Sequence, residues 1–167
     1  SLGMQFDFHG IGVGKRMSNE TFEKLMYKKR TRYGTEVCYA DNSRKVFEQY
    51  HNNTPCAYML LSDQSPNDIN KCYWIDFLNR KTAFIYGCEY FAKKYNYPVF
   101  YYNVKKIKRG YYEFEISEIS TKPQETEYGF IVEKSAKILE NTLKQTPQYW
   151  LWSHRRWKLK YENINKL

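Results

Sequence analysis

Residues 57–61 form an uninterrupted apolar run that is too short for a helix. A run of this kind, preceded by Thr54-Pro55, predicts a strand buried on both faces. It stops at Ser62-Asp63-Gln64-Ser65-Pro66, where the proline cannot donate to a strand ladder. In open α/β sheets, ligands lie beyond the carboxyl ends of the strands, which makes Asp63 a candidate site residue. The alternative is that Asp63 only caps a turn.

The first helical pattern follows Ser18 and Asn19, either of which can cap a helix. Four positions at helical spacing then predict one inward face: Phe22, Leu25, Met26 and Lys29. The helix is predicted to end in the basic run 28–32, and Gly34 supplies its stop. Upstream, the segment 10–14 carries three glycines without the G-x-G-x-x-G spacing of a nucleotide site, so it predicts a loop or a short strand.

Strands and helices alternate in the pattern that follows. Residues 36–40 predict a strand, residues 41–43 cap a helix, and Thr82 opens another helix. Its apolar positions are Phe84, Cys88, Phe91 and Tyr95. This alternation predicts an α/β fold with a mostly parallel central sheet flanked by helices.

The second half of the chain predicts an antiparallel hairpin and a long helix. Residues 99–107 and 112–119 flank a turn at 108–110, which sets Lys105 opposite Glu113 and Val104 opposite Phe114. The alternation of residues 111–116 predicts that one face of the hairpin is half-buried. A helix is predicted over 126–144 and ends at Pro147, with an inward stripe of Val132, Ala136, Leu139 and Leu143.

Composition narrows the function classes. The chain of 167 residues is expected to form one domain over residues 3–160 with a polar tail over 161–167, and its 19% aromatic content argues against disorder. A net charge of +9 favours an anionic partner such as nucleic acid, an acidic carrier protein or anionic lipid. The four cysteines lack zinc-site spacing and are expected to be buried and reduced, so no metal is predicted.

Candidate chemistry is sparse. The three histidines are His9, His51 and His154, and the positions five residues after them are Gly14, Cys56 and Leu159. Two basic clusters remain, one over residues 28–32 and one over residues 154–158. The second is interleaved with tryptophans and either binds an anionic headgroup or has a structural role.

Four stretches of the chain, taken together, resemble one family. The segment 147–158, with the sequence Pro-Gln-Tyr-Trp-Leu-Trp-Ser-His-Arg-Arg-Trp-Lys, resembles the closing motif of the bacterial lipid A biosynthesis (lauroyl/myristoyl) acyltransferases. In order along the chain, the other three stretches agree: residues 10–34 with their Gly-Ile-Gly-Val start and Arg30-x-Arg32-x-Gly34 end, residues 63–66, and residues 77–87.

This resemblance implies a glycerolipid acyltransferase-like fold and transfer of an acyl chain from acyl carrier protein to a hydroxyl of a lipid A precursor, without a cofactor. It implies supporting roles for Asp63, which would orient an active-site group, and for Arg30 and Arg32, which would hold a phosphate or an oxyanion. His154, Arg155, Arg156, Trp157 and Lys158 would be structural or would face the anionic surface of the cytoplasmic side of the inner membrane.

One departure from the family pattern stands out. The family signature is a histidine separated by four residues from an acid, which would serve as general base and its partner, and the 167 residues contain no such pair. The chain is therefore expected to be a piece truncated at the N-terminus and inactive alone. The alternatives are a basic nucleic-acid-binding module, although no nucleic acid is expected because the aromatic residues follow core spacing, and a non-catalytic acyltransferase-like interaction domain.

Overall fold

The computed structural model describes residues 7–162, which divide into two compact units, the first ending at Leu61 and the second beginning at Ser62. A single acyltransferase-like domain over residues 3–160 stays a prediction. The first unit contains, in chain order, β1 (His9–Gly14), α1 (Glu20–Thr31), β2 (Glu36–Tyr39), α2 (Ser43–Tyr50) and β3 (Cys56–Leu60).

The sheet of the first unit is parallel, in the order β2-β1-β3. Its centre is the glycine-bearing strand β1, where Val13 lies opposite Cys38 on one side and Leu60 on the other. Of the two structures predicted for residues 10–14, a loop or a short strand, the short strand is confirmed. Ile11 of this strand is buried with Cys38 and with Val46 of α2.

The prediction that residues 57–61 are buried on both faces is wrong, although a strand is present there. β3 pairs with β1, and no second strand pairs with it among residues 7–162. Along β3, Ala57 and Met59 are exposed, whereas Tyr58 between them is half-buried and stacks on Phe47 of α2 at 3.9 Å between ring centroids. An apolar run therefore forms a strand with one covered face.

Helix α1 begins where the sequence predicts, because the side chain of Asn19 accepts a hydrogen bond from the backbone N–H of Phe22. Its predicted inward face is wrong, since Phe22 and Leu25 are exposed and Glu23 is the buried residue. The Glu23 carboxylate accepts hydrogen bonds from the Tyr39 hydroxyl and the Met17 backbone N–H. A specific polar contact, rather than apolar spacing, sets which side of this helix turns inward.

The second unit contains, in chain order, β4 (Cys72–Phe77), β5 (Arg80–Ile85), α3 (Gly87–Tyr95), β6 (Val99–Lys108), β7 (Tyr111–Ser120) and α4 (Phe130–Gln145). Its four strands form two antiparallel hairpins, β4–β5 and β6–β7. The mixed α/β class is confirmed. The mostly parallel sheet is not, because only three of the seven strands between residues 7 and 162 pair in parallel.

The helix predicted from Thr82 is wrong, since Thr82 lies in β5 and the helix begins at Gly87. Leu78 and Asn79 between β4 and β5 both have positive φ, 51° and 58°, which is the geometry of a tight two-residue hairpin turn. This turn returns the chain along β4, and Phe77 and Phe84 of the hairpin are buried with α4. Pairing with β4 thus overrides the helical spacing of the apolar residues.

Helix α4 confirms its predicted stripe, because Val132, Ala136 and Leu143 are buried, although it begins at Phe130 rather than at Thr126. The start follows a turn at Gly129, which has a φ of +90°. A methyl group placed on Gly129 would come within 2.2 Å of the Tyr73 phenol, so only glycine fits.

The β6–β7 hairpin has the predicted register, with Val104 opposite Phe114 and Lys105 opposite Glu113. At its base, Val99 and Ile119 are buried against α3 and α4. Beyond the base, the predicted half-buried face is wrong, because most side chains there are exposed. Among the described helices, none combines the length and the apolar character required to span a bilayer.

Candidate functional site

The loop that carries Asp63 is hydrogen-bonded to the C-terminal segment of the second unit. Ser65 and the adjoining Pro66 are buried, and the Ser65 backbone N–H donates to Nε2 of His154 at 3.1 Å. Two residues further on, Oδ1 of Asn67 accepts from Nζ of Lys158 at 2.8 Å. Two motifs that lie 89 residues apart in sequence therefore form one structural element.

Arg156 is the buried charge of this element, with 2% of its surface exposed. Its Nη1 donates to the backbone carbonyl of Ala83 in β5 at 2.8 Å, and its guanidinium lies 4.3 Å from the centre of the Phe84 ring. Nε and Nη2 are buried and have no hydrogen-bond partner within residues 7–162. Burial lowers the pKa of Arg156 to about 10, against the opposing effect of the Asp63 charge, so the side chain is still a cation at neutral pH.

Asp63 itself is half-buried and lies close enough to several groups to affect their ionisation. Burial, with the nearby Asp63 charge as a further cause, raises the pKa of Tyr101 to about 12 and also raises the pKa of Tyr102. Within the described part of the chain, no hydrogen bond or ion pair is found for the Asp63 carboxylate. It is thus an acceptor near a buried cation and a protonated phenol, which suits a role in orienting another group.

The remaining residues of the C-terminal cluster divide between interior and surface. The indole N–H of Trp157 donates to the Thr82 hydroxyl at 2.9 Å, and Arg80 lies over its ring at 4.9 Å. Arg155 and Lys158 are exposed. The contacts of Trp157 favour the structural alternative for that residue. Contact with an anionic surface stays a prediction, and Arg155 and Lys158 are the exposed cations that it concerns.

A small cavity lies next to this loop and is mainly apolar. Its lining includes Ser62, the residue before Asp63, together with Cys88 of α3 and Val132 of α4. Burial, with a contribution from the Glu89 charge, raises the pKa of the Cys88 thiol to about 11. The thiol is therefore protonated at neutral pH and is a poor nucleophile.

Arg30 and Arg32 belong to the first unit, at and just beyond the end of α1, and both are exposed. A methyl group built on Gly14 would lie 3.9 Å from Nη1 of Arg30, which places this guanidinium beside the carboxyl end of β1. Its charge also helps to lower the pKa of Glu23, after the larger effects of the hydrogen bonds from Tyr39 and Met17. Arg32 lies 5.2 Å from the centre of the Tyr33 ring.

The first unit also brings together a histidine and a carboxylate that lie far apart in sequence. Nε2 of His9 lies 2.8 Å from Oε2 of Glu36, and the same oxygen accepts from the Tyr50 hydroxyl at 2.7 Å. Burial alone raises the pKa of Glu36, but the hydrogen bonds from His9 and Tyr50 outweigh it and leave the pKa below its usual value. His9 and Glu36 begin β1 and β2, at the edge of the sheet opposite to the one where ligands bind, so we assign this cluster a structural role.

No group of three or more candidate metal ligands occurs in residues 7–162, and all four cysteines are free thiols. The sequence offered Asp63 and the 154–158 cluster as candidate site residues, and their roles stay predictions. It missed Tyr101 beside Asp63 and the pairing of His9 with Glu36. Both arise between different strands or loops, so no spacing along the chain could have indicated them.

Comparison with known proteins gives one positive result. A search of curated proteins gives no match, but a family model described as bacterial lipid A biosynthesis acyltransferase matches residues 2–159 of the 167. This match includes the Asp63 loop, the arginines of α1 and the C-terminal cluster. The chain therefore belongs to the bacterial lipid A biosynthesis acyltransferase family.

Proposed function

We propose that this chain serves in the transfer of a fatty acyl group from the thioester of acyl carrier protein to a hydroxyl of a lipid A precursor. In this reaction the hydroxyl oxygen forms a bond to the thioester carbonyl carbon, the carbon–sulfur bond breaks, and the hydroxyl proton passes to a base and then to the leaving thiol. Family membership is the observation that carries the proposal. The site supports it with an accessible acid, Asp63, next to an incompletely bonded guanidinium, Arg156.

The residues of this chain are proposed to position the reaction rather than to abstract the proton. Asp63 has no hydrogen-bond or ion-pair partner within residues 7–162, so its carboxylate is proposed to accept a hydrogen bond from the group that it orients. In the first unit, Arg30 and Arg32 are exposed donors suited to a phosphate or to the oxyanion of the transition state.

The general base is not among the histidines of this chain in the arrangement that the family resemblance implies. No histidine in the 167 residues is followed, after four intervening residues, by an acid. His9 already has Glu36 as a neighbour at the amino ends of the strands, and Nε2 of His154 accepts from the backbone of Ser65. We therefore propose that the chain is inactive alone.

The partners follow from charge and from the acceptor. A net charge of +9 attracts an acidic carrier protein and speeds its encounter. The acceptor is a lipid, so the proposed place of action is the cytoplasmic face of the bacterial inner membrane. Arg155 and Lys158, both exposed, are proposed to contribute to that contact.

The test is transfer of a labelled acyl chain from acyl carrier protein to a lipid A precursor. We expect no transfer by the 167-residue chain and transfer by the product of a gene fusion that places a segment with the family's histidine–acid pair before it. In that product, Asp63→Ala and Arg30→Ala should each lower turnover by roughly 100-fold, because each removes a group that acts on the reacting atoms or their orienting partners.

Matched controls are Asp76→Ala, which removes an exposed acid in β4, and Lys24→Ala, which removes an exposed cation on α1. Both should leave turnover unchanged, and circular dichroism should show all four variants folded. Transfer by the 167-residue chain alone would refute its proposed inactivity. Turnover near wild type in Asp63→Ala or in Arg30→Ala would contradict the role proposed for that residue.

A further inference from the structure

The outer part of the β6–β7 hairpin carries an apolar face that is largely exposed to solvent. Register places Val104 opposite Phe114 and Lys106 opposite Tyr112, with Ile116 next along β7 on the same side. Phe114 is 69% exposed, Ile116 62%, Tyr112 58% and Val104 45%. We call Val104, Tyr112, Phe114 and Ile116 the hairpin face. A two-stranded hairpin is marginal in water, and contiguous exposed apolar surface of this kind marks an interaction site.

The opposite side of the same hairpin is polar and charge-neutralised. There Asn103 lies opposite Glu115 and Lys105 opposite Glu113, and Nζ of Lys105 is 2.9 Å from Oε2 of Glu115. Two of the three acids of the hairpin therefore point away from the hairpin face. The third, Glu118, lies opposite Phe100 near the base, far from the turn.

Basic residues concentrate where the hairpin turns. Lys106, Lys108 and Arg109 lie at or next to the turn, and none of them belongs to an ion pair within residues 7–162. Ile107, between two of them, is 63% exposed. The hairpin thus has three distinct surfaces: an apolar face, a cationic tip and a polar reverse side on which Lys105 pairs with Glu115.

A second apolar segment lies on the same side. Nζ of Lys106, which projects from the hairpin face, lies 5.9 Å from the centre of the Tyr149 ring. The segment that begins with Tyr149 exposes three large side chains, with Tyr149 at 57%, Leu151 at 66% and Trp152 at 59%. Tyrosine and tryptophan are the side chains that favour the boundary between lipid headgroups and acyl chains.

We propose that the hairpin face docks on an anionic lipid bilayer, with Phe114 and Ile116 at the level of the acyl chains and the cationic tip among the phosphates. The distribution of charge on the hairpin favours an anionic bilayer as the binding partner. A surface that is apolar in its centre, cationic at its tip and free of outward-facing acids near the turn matches the headgroup layer of an anionic membrane. The inference goes beyond acyl transfer and does not depend on it, because it concerns binding to lipid alone.

The test is flotation of the 167-residue chain with lipid vesicles, either of phosphatidylcholine alone or mixed with phosphatidylglycerol. We expect binding to the anionic vesicles that is at least roughly tenfold stronger and that weakens with added salt. The double variant Phe114→Ser, Ile116→Ser should lower this affinity by at least roughly tenfold, because it removes the buried apolar contact. Lys108→Glu with Arg109→Glu should abolish the preference for anionic lipid.

The matched control is Lys105→Ser with Glu113→Ser, which changes the reverse side of the same two strands without changing net charge. It should bind as the wild type does. A Phe114→Trp variant provides a second readout that keeps the hairpin face apolar, since its fluorescence should shift to the blue with vesicles and be quenched by lipids brominated on the acyl chain.

Two results would overturn the proposal. One is equal, weak binding to both kinds of vesicle with no change in the fluorescence of Phe114→Trp. The other is a wild-type dimer in sedimentation experiments that Phe114→Ser, Ile116→Ser converts to a monomer without any vesicle binding, which would show that a second copy covers the hairpin face. Neither result bears on acyl transfer, so failure here is distinct from failure of the proposed function.

Discussion

Two buried charges in the second unit differ in how completely their surroundings satisfy them with hydrogen bonds. The carboxylate of Glu89 is fully buried and accepts hydrogen bonds from the backbone N–H groups of Gly129, Ile131 and Val132, at 2.6, 3.1 and 3.2 Å. The guanidinium of Arg156 is almost as deeply buried and has one protein acceptor, the carbonyl of Ala83.

The surroundings of Glu89 form a complete helix cap. The carboxylate lies at the positive end of the α4 dipole and satisfies N–H groups that have no partner within the helix. Lys93, one turn along α3, lies 3.7 Å from Glu89 and donates to the carbonyls of Thr126 and Glu127. Both oxygens of the Glu89 carboxylate and the Lys93 ammonium therefore have hydrogen-bond partners, which indicates a structural role.

Arg156 lacks this completeness, because Nε and Nη2 have no acceptor within residues 7–162. A buried donor left without a partner costs free energy, and such costs concentrate at functional sites. The difference teaches that burial alone does not separate structural charges from functional ones. The number of satisfied hydrogen bonds does.

The largest effect is expected from Glu89→Ala. It removes the acceptor of three buried N–H groups and should lower the free energy of unfolding by about 3–5 kcal/mol, measured by urea denaturation. Glu118→Ala, which removes an exposed acid in β7, is the control and should change stability by less than about 0.5 kcal/mol. If Glu89→Ala also costs less than about 1 kcal/mol, the carboxylate does not hold the start of α4.

A smaller effect is expected from Arg156→Met. This change loses the hydrogen bond to Ala83 and the contact with the Phe84 ring, but it also removes a cation that burial disfavours. The two should nearly cancel, so urea denaturation should give a change within about 1 kcal/mol of the wild type. A loss as large as that of Glu89→Ala would instead assign Arg156 a structural role and end the contrast.

The smallest effect is the change in folding stability at alkaline pH, which has opposite signs for Tyr73 and for Arg156. Beside the α4 cap, the hydrogen bond from Tyr73 to Glu133 is the main cause that raises the pKa of Tyr73 to about 12. The stability from this raised pKa is complete below about pH 10 and is lost as the pH rises towards 12. Burial lowers the pKa of Arg156 to about 10, so the folded protein releases this proton at a lower pH than the unfolded chain does. The free-energy cost of the buried cation is therefore relieved above about pH 10.

Urea denaturation at neutral pH and at several values above pH 10 measures this difference. The variant Tyr73→Phe should lose less stability than the wild type as the pH rises, because it lacks the titrating phenol. Arg156→Met should lose more, because it lacks the relief. Identical alkaline profiles for both variants would show that neither environment perturbs ionisation as described.

Sequence reasoning succeeded where both partners of a contact lie near each other along the chain. The register of β6–β7 follows from one short turn, and the cap at Asn19 follows from a residue three positions away. It failed at Thr82, where pairing with β4 outweighs helical spacing, and at Phe22, where a bond between Glu23 and Tyr39 sets the inward side of the helix.

By itself, the sequence determined the family, the candidate residues Asp63 and 154–158, the hairpin register and the inward stripe of α4. All of these depend on motifs or on spacing within one element. Only the tertiary structure decided that Glu89 is a satisfied cap, that Arg156 is not satisfied, and that the hairpin face is exposed. Burial and hydrogen bonding depend on neighbours that are remote in sequence, and local periodicity shows only that a face is apolar, not what covers it.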